Sequence, residues 1–138
     1  MNITRKFEKI IVYTLGVWQI IDGLITILFY GMHQKNRIMN SSDGILEQNH
    51  ALESIFGSIF NFITIFGLFL IGMGLINMVV AKNHIKDTRV NYKVGFWLLL
   101  VGLLSYFIMD ILSMILSLSA GVIYLAKNKS IQMLNNQQ

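Results

Sequence analysis

Three long apolar blocks, separated by polar segments, dominate the hydrophobic pattern of the chain. They cover residues 10–29, 55–80 and 94–126. A helix of about 20 apolar residues crosses a bilayer core of roughly 30 Å, so each block is long enough to span a membrane. The first block contains Gln19 and Asp22, and no small-residue cleavage motif follows it. We therefore predict an uncleaved helix there rather than a signal peptide.

The third block allows two interpretations. As one helix it would be about 50 Å long at ~1.5 Å per residue, far more than a bilayer needs. As a hairpin that turns within 105–113, each arm would have only about 15 residues, which is short for a span. Tyr106 and Asp110 favour a turn at the outer interface, so the hairpin is the prediction.

The pattern thus predicts an all-α, polytopic membrane protein, a four-transmembrane-helix bundle that forms a single membrane domain over residues 1–138. The predicted elements are helices at 8–30, 54–81, 94–108 and 111–126, an outer loop at 31–53, a basic inner loop at 82–93 and a polar tail at 127–138.

Composition agrees with this class of protein and argues against several kinds of catalytic function. The chain is 54% hydrophobic and only 13% charged, whereas soluble domains are about 25% charged. It has no cysteine, which excludes disulfides, thiolate metal sites and cysteine nucleophiles. No phosphate loop, dinucleotide fingerprint, zinc-protease helix or nucleophile elbow occurs. We predict no enzymatic activity and no cofactor, and the formal charge of +4 needs no nucleic acid to explain it.

Basic residues predict the orientation in the membrane, because cytoplasmic flanks collect Lys and Arg. In the four-helix arrangement, only Lys35 and Arg37 of the 11 basic residues fall in the outer loop. Both termini are therefore predicted to be cytoplasmic, and the composition indicates a bacterial plasma membrane. The basic side chains of the inner loop are predicted to contact anionic lipid headgroups; they are Lys82, Lys86, Arg89 and Lys93.

Polar residues within two of the blocks predict an intramembrane cluster. One polar stripe on the first helix and another on the second have the same predicted depth, so they can face each other. The cluster consists of Gln19, Asp22, Thr26, Ser58 and Asn61. A buried carboxylate without a cation is strongly disfavoured, which leaves three interpretations of Asp22. It is a neutral acid bonded to Asn61 or Ser58, the partner of a basic residue on another protein, or part of a proton or cation path.

Small residues predict how the helices pack, because lipid supplies little hydrophobic drive between helices. In the fourth helix, Ser113, Ser117 and Gly121 recur at four-residue spacing and form a helix-packing stripe. Glycines spaced by seven residues occur in the other helices, at Gly16 and Gly23, Gly67 and Gly74, and Gly95 and Gly102.

The outer loop contains a candidate metal-binding pattern. Asp43, Glu47 and His50 lie at i, i+4 and i+7, so on a helix they would share a face able to hold a divalent cation. The other interpretation is a solvated amphipathic segment leading into the second helix. The turn signal of Asp43-Gly44 supports this second interpretation, and we predict no metal site.

Four segments carry a resemblance to a known family: "RKFEKIIVYTLG", "NMVVAKN", "KVGFWLLLVGLL" and "GVIYLAKNK". Together they resemble a family of small membrane proteins of Gram-positive bacteria, classed as a domain of unknown function. The resemblance implies four helices, a basic inner loop, a Gly-rich third helix and a basic end after the fourth. It implies no activity and no site residues.

The function expected from these features is non-catalytic. We predict an accessory or regulatory subunit that binds and stabilises a larger cell-envelope protein or complex. The alternative is a homo-oligomeric channel or carrier for protons or small cations that uses Asp22. The expected partners are the lipid bilayer and either another membrane protein or a second copy of the chain.

Overall fold

The computed structural model describes residues 4–40, 46–87 and 90–135. These residues are almost entirely helical, and no strand occurs among them. The elements are α1 (Lys6–Asn40), α2 (Leu46–Val79), a π-helical turn (Val80–His84), α3 (Tyr92–Ile108) and α4 (Ile111–Asn135). The prediction of an all-α chain with four helices is confirmed.

Three of the helices are long and apolar enough to cross a membrane. The qualifying segments, judged by length and composition, are Lys6–Tyr30, Gly57–His84 and Ile111–Leu134. The fourth helix, α3, is apolar but has only 17 residues, which gives it a length of about 25 Å. The predicted membrane class is therefore supported by three helices.

The helices are longer than predicted by at least eight residues at three ends. α1 continues to Asn40, α2 begins at Leu46 and α4 continues to Asn135. Most of the predicted outer loop 31–53 and polar tail 127–138 is therefore helical. Polar side chains disfavour the bilayer interior but do not end a helix, and residues 32–40 contain no Gly or Pro to break it.

α3 and α4 form the predicted hairpin. Met109 ends α3 in the left-handed conformation with φ 63°, and the Asp110 carboxylate accepts a hydrogen bond from the Ser113 backbone N–H at 3.1 Å. Such an aspartate cap satisfies one of the free N–H groups at a helix start. The chain therefore turns at 109–110, within the range that the sequence predicted.

The left-handed conformation of Met109 leads to a stability prediction. Apart from glycine, it is the one residue with positive φ among those described, and this conformation costs an L-residue roughly 1–2 kcal/mol. Met109→Gly removes the steric cost but adds backbone freedom to the unfolded chain, so we expect a net gain of about 0.5–1 kcal/mol. Thermal unfolding in detergent measures it, and Met109→Val should lower the midpoint instead.

The chain divides into two compact units. The first comprises Met1–Trp18 with Gly74–Gln138, and the second comprises Gln19–Met73. In the first unit, the Trp97 indole N–H donates to the side-chain oxygen of the fully buried Asn77 at 2.9 Å. This bond ties α3 to the end of α2.

Glycines bring α1 and α2 close together within each unit. In the first unit, a Cβ added to Gly16 would lie 2.7 Å from the backbone oxygen of Gly74. In the second, a Cβ added to Gly23 would lie 2.6 Å from the backbone oxygen of Gly67. Only glycine permits such an approach, so the seven-residue spacing of these glycines matches their use in the structure.

Candidate functional site

The residues of the predicted intramembrane cluster do not share one environment. Gln19 is buried, whereas Asp22 and Thr26, also on α1, are half-buried. Ser58 and Asn61 on α2 are exposed. Gln19, Asp22 and Ser58 each interact with some other group. The α1 half of the predicted cluster therefore points inward, whereas its α2 half lies on an exposed surface.

The buried side of α2 explains this difference. Gly67, Leu70 and Met73 are buried and define the contact side of the helix in the second unit. Asn61 precedes Gly67 by six residues, which turns it about 120° away at ~100° per residue. The glycine that faces α1 thereby directs Asn61 away from the packed side.

The side of α2 opposite its buried residues carries two glycines at which an added side chain would have no described neighbour. A Cβ built on Gly57 or on Gly72 meets nothing described within 4 Å. Asn61, Ile65 and Leu68 lie on the same side, with Ile65 68% and Leu68 57% exposed. At ~100° per residue these five positions fall within about 80° on the helix. We term this set the open face of α2.

The open face contrasts with the other glycines of the α1–α2 pair. Gly16, Gly23 and Gly67 each leave less than 3 Å between an added Cβ and the neighbouring helix. Small residues in membrane helices are enriched where two helices meet. Gly57 and Gly72 are small residues of the same kind, but no helix lies against them in the described part of the chain. The open face therefore has the composition of a helix–helix contact.

The predicted packing stripe of α4 lies against α3. Ser113 and Ser117 are fully buried, and Gly121 is buried as well. The Ser117 hydroxyl donates to the backbone oxygen of Leu98 at 2.5 Å, and a Cβ on Gly121 would lie 3.1 Å from Leu99. This stripe is therefore used within the chain and offers no surface to a partner.

A buried ion pair joins the start of α1 to α4. The Lys127 ammonium lies 2.9 Å from both carboxylate oxygens of Glu8. It also donates to the backbone oxygen of Thr4 at 3.0 Å. The Glu8 side chain is fully buried, whereas that of Lys127 is 31% exposed. The ion pair therefore fixes the first turn of α1 against the last part of α4.

Arg5 lies beside this ion pair and is itself fully buried. Its guanidinium donates to the Asn128 side-chain oxygen at 2.5 Å and lies 4.2 Å from the centre of the Tyr124 ring. Its backbone N–H donates to Asp87 at 2.8 Å. The Arg5 cluster comprises four buried polar residues and the partly exposed Lys127; the buried ones are Arg5, Glu8, Tyr124 and Asn128.

Nothing in the sequence pattern pointed to the Arg5 cluster. Charged residues that flank an apolar block are ordinarily exposed, and the hydrophobic pattern places Arg5 and Lys127 at opposite ends of the chain. Residues 5 and 8 meet residues 127 and 128 only after α4 has folded against α1. A tertiary contact of this kind has no local signature.

The other predicted site residues are either exposed or have side chains outside the described part of the structure. Lys82, Lys86 and Lys93 are exposed, and their contact with lipid headgroups stays a prediction. Arg89 and Asp43 lie outside the described residues. Glu47 and His50 lie on α2, although their side chains are not described. Among the side chains that are described, no three acidic or histidine groups could hold a metal ion.

Comparisons of the chain with protein-family models, with curated proteins and with solved structures found no match. The resemblance to the Gram-positive family therefore remains a prediction. The class that the fold defines is an all-helical protein with three helices capable of spanning a membrane.

Proposed function

We propose that this chain is a non-catalytic subunit of a bacterial plasma membrane complex, which binds a transmembrane helix of a larger membrane protein through the open face of α2. The observation that carries the proposal is the pair of glycines, Gly57 and Gly72, at which an added Cβ meets no described atom within 4 Å. Their counterparts Gly16, Gly23 and Gly67 all serve close helix contacts.

Asn61 strengthens the proposal by its position in the membrane. It lies four residues inside the segment of α2 that is long and apolar enough to span, and its side chain is exposed. An amide that faces hydrocarbon without a hydrogen bond costs several kcal/mol, roughly 4–8 in the limit of a fully apolar solvent. A polar side chain on a docked helix would satisfy it, and such bonds contribute about 0.6–2 kcal/mol to association.

The proposal also includes the finer topology. α3 acts as a fourth, short span, and both termini are cytoplasmic, because nine basic residues then lie on the inner side and only Lys35 and Arg37 on the outer. A helix of about 25 Å crosses a bilayer that thins locally around it, at a modest cost per Å of mismatch.

Cysteine labelling tests this topology in a chain that has no cysteine of its own. Single cysteines at Ser41, Met109, Asn83 and Asn135 are treated in intact cells with an impermeant thiol reagent. Met109 is chosen for the hairpin because it is 87% exposed and its replacement leaves the Asp110 cap intact. We expect labelling at Ser41 and Met109 only. Labelling at Asn135 in intact cells would mean that α3 and α4 together cross an odd number of times.

Purification in mild detergent tests the binding function. We expect a membrane protein of different mass to co-purify stoichiometrically, and Gly72→Phe to abolish this by filling the space that the partner helix needs. Ser119→Phe is the matched control, because Ser119 is an exposed position on α4. Loss of the partner in both variants, or in neither, would contradict docking at the open face.

Reconstitution in liposomes separates this function from ion conduction. The purified chain alone should give no proton or cation flux above that of empty liposomes. Flux that is present in the wild type and lost in Asp22→Asn would overturn the accessory function and assign a channel or carrier that uses Asp22.

A further inference from the structure

The guanidinium of Arg5 is buried without a compensating carboxylate. Its Nε and one terminal nitrogen have no hydrogen-bond partner, although the side chain is fully buried. The other terminal nitrogen bonds only to a neutral acceptor, the Asn128 amide. A buried, unpartnered donor costs roughly 1–3 kcal/mol, and more when it is charged.

The two acidic side chains near Arg5, Glu8 and Asp87, interact with groups other than its guanidinium. Glu8 pairs with Lys127 through both carboxylate oxygens. Asp87 accepts from the backbone N–H of Arg5. In the part of the chain that is described, no salt bridge reaches the Arg5 guanidinium. Because an arginine remains charged in proteins, this charge calls for an anion from outside the chain.

The unpartnered donors around Arg5 match one kind of anion, and the acceptor beside them that lacks a hydrogen bond, Glu8 Oε1, is neutralised by Lys127 at 2.9 Å. Besides the two guanidinium nitrogens, the amide nitrogen of the fully buried Asn128 has no partner. The planar fork of a guanidinium bonds two oxygens of a phosphate at once. The start of α1 adds the partial positive charge of a helix N-terminus. These groups are donors that a phosphate, with its several acceptor oxygens, would satisfy.

We propose that the Arg5 cluster binds a phosphate group, and that its source is the headgroup of an anionic phospholipid. Exposed basic residues surround the cluster, among them Lys6, Lys86 and Lys129, and such residues concentrate anionic lipids at roughly 1 kcal/mol each. The site differs from the basic inner loop, because it is built mainly from buried side chains of α4 and of the chain at the start of α1.

The phosphate reaches the guanidinium by displacing the Thr4–Lys127 contact. Lys127 is the partly exposed edge of the cluster, and its bond to Thr4 holds a residue that precedes α1 and is not helical. Because Thr4 precedes α1, release of this bond does not require any turn of α1 to break. The ammonium of Lys127 can then serve as a further donor to the bound phosphate.

Thermal unfolding of the purified chain in a neutral detergent tests the proposal. The chain is titrated separately with phosphatidylglycerol, with phosphatidylcholine and with inorganic phosphate at constant ionic strength. We expect phosphatidylglycerol to raise the unfolding midpoint by several degrees, and phosphatidylcholine to raise it much less. A similar rise with inorganic phosphate would support the phosphate site but assign it to the free anion. No rise with either phosphatidylglycerol or phosphate would overturn the proposal.

Variants distinguish the site from general surface charge. Arg5→Met should lose the shift that phosphatidylglycerol causes, whereas Lys129→Met, which removes an exposed charge, should keep most of it. In neutral detergent without lipid, Arg5→Met should be at least as stable as the wild type, because an uncompensated buried charge is removed. An Arg5→Met chain that keeps the wild-type lipid shift would contradict the proposal. If Arg5→Met does not fold, Asn128→Leu is measured instead: it removes one of the proposed donors and leaves Arg5 in place, so it should reduce the shift that phosphatidylglycerol causes, and an unchanged shift would contradict the proposal.

Discussion

Gly23→Ala is expected to destabilise the protein strongly for a change of one methyl group. The added Cβ would lie 2.6 Å from the backbone oxygen of Gly67 and 2.8 Å from a side-chain carbon of Ile71. A backbone oxygen cannot rotate away, so α1 and α2 must move apart locally. Overpacking of this kind typically costs about 1–3 kcal/mol. We therefore expect the free energy of unfolding in detergent to fall by that amount.

Gly72→Ala is the matched control for this prediction. It adds the same methyl group to α2 in the same unit, but no described atom lies within 4 Å of the new Cβ. Because alanine is favoured over glycine in a helix interior by about 0.5–1 kcal/mol, Gly72→Ala should leave the free energy of unfolding unchanged or raise it slightly. If the two variants lose equal stability, the close contact at Gly23 would not be the cause of the loss.

Lys127→Met is expected to lower the free energy of unfolding at least as much as Gly23→Ala. It leaves the fully buried carboxylate of Glu8 without its cation, and a buried pair that loses one partner typically costs about 3–5 kcal/mol. Because Lys127 is 31% exposed, solvent screens part of this interaction, so we expect a loss of about 2–3 kcal/mol. Chemical or thermal unfolding in neutral detergent measures it.

The double variant Glu8→Met/Lys127→Met tests the cause. Since it replaces both charges with apolar side chains of similar length, most of the stability should return. A double variant that loses as much stability as Lys127→Met alone would show that the destabilisation comes from lost packing of the lysine stem rather than from an uncompensated carboxylate.

The hairpin of α3 and α4 was predictable because its signals are local. Asp110 interrupts an apolar block, and an aspartate at the start of a helix supplies a cap through its own side chain. The structure uses it in that way, with a bond to the Ser113 N–H. The stripe of Ser113, Ser117 and Gly121 was also predictable from the sequence, because four-residue spacing keeps small side chains on one side of a helix.

The orientation of Asn61 was not predictable from polarity alone. A polar residue within a membrane block suggested an inward position, opposite Asp22. The glycines decide the packed side of α2, because only they allow the close approach of α1. Gly67 is the reference from which the direction of Asn61 follows. The glycines and the polar stripe of α2 are both present in the sequence. Only the spacing between Gly67 and Asn61 shows that they lie on different sides of the helix.

Hydropathy could not predict where α1 and α4 end or where α2 begins. The polar residues after Tyr30 and after Ala126 leave the apolar pattern, yet the helices continue through them. For α4, contacts with distant residues support the extension: Lys127 bonds to Glu8, and Gln132 accepts a hydrogen bond from the Tyr92 hydroxyl at 2.8 Å. Such long-range contacts have no counterpart in the local sequence pattern.

Site-specific photo-crosslinking tests the central claim, that the open face of α2 binds a helix of another membrane protein. A photoreactive residue is placed in living cells at Leu68 on the open face, and at Val122 on α4 as a control that is 61% exposed. We predict one discrete adduct with a heterologous membrane protein from Leu68, lost when Gly72→Phe is added, and none from Val122. An adduct of twice the chain's own mass, equal adducts from both positions, or no protein adduct from Leu68 would contradict the claim.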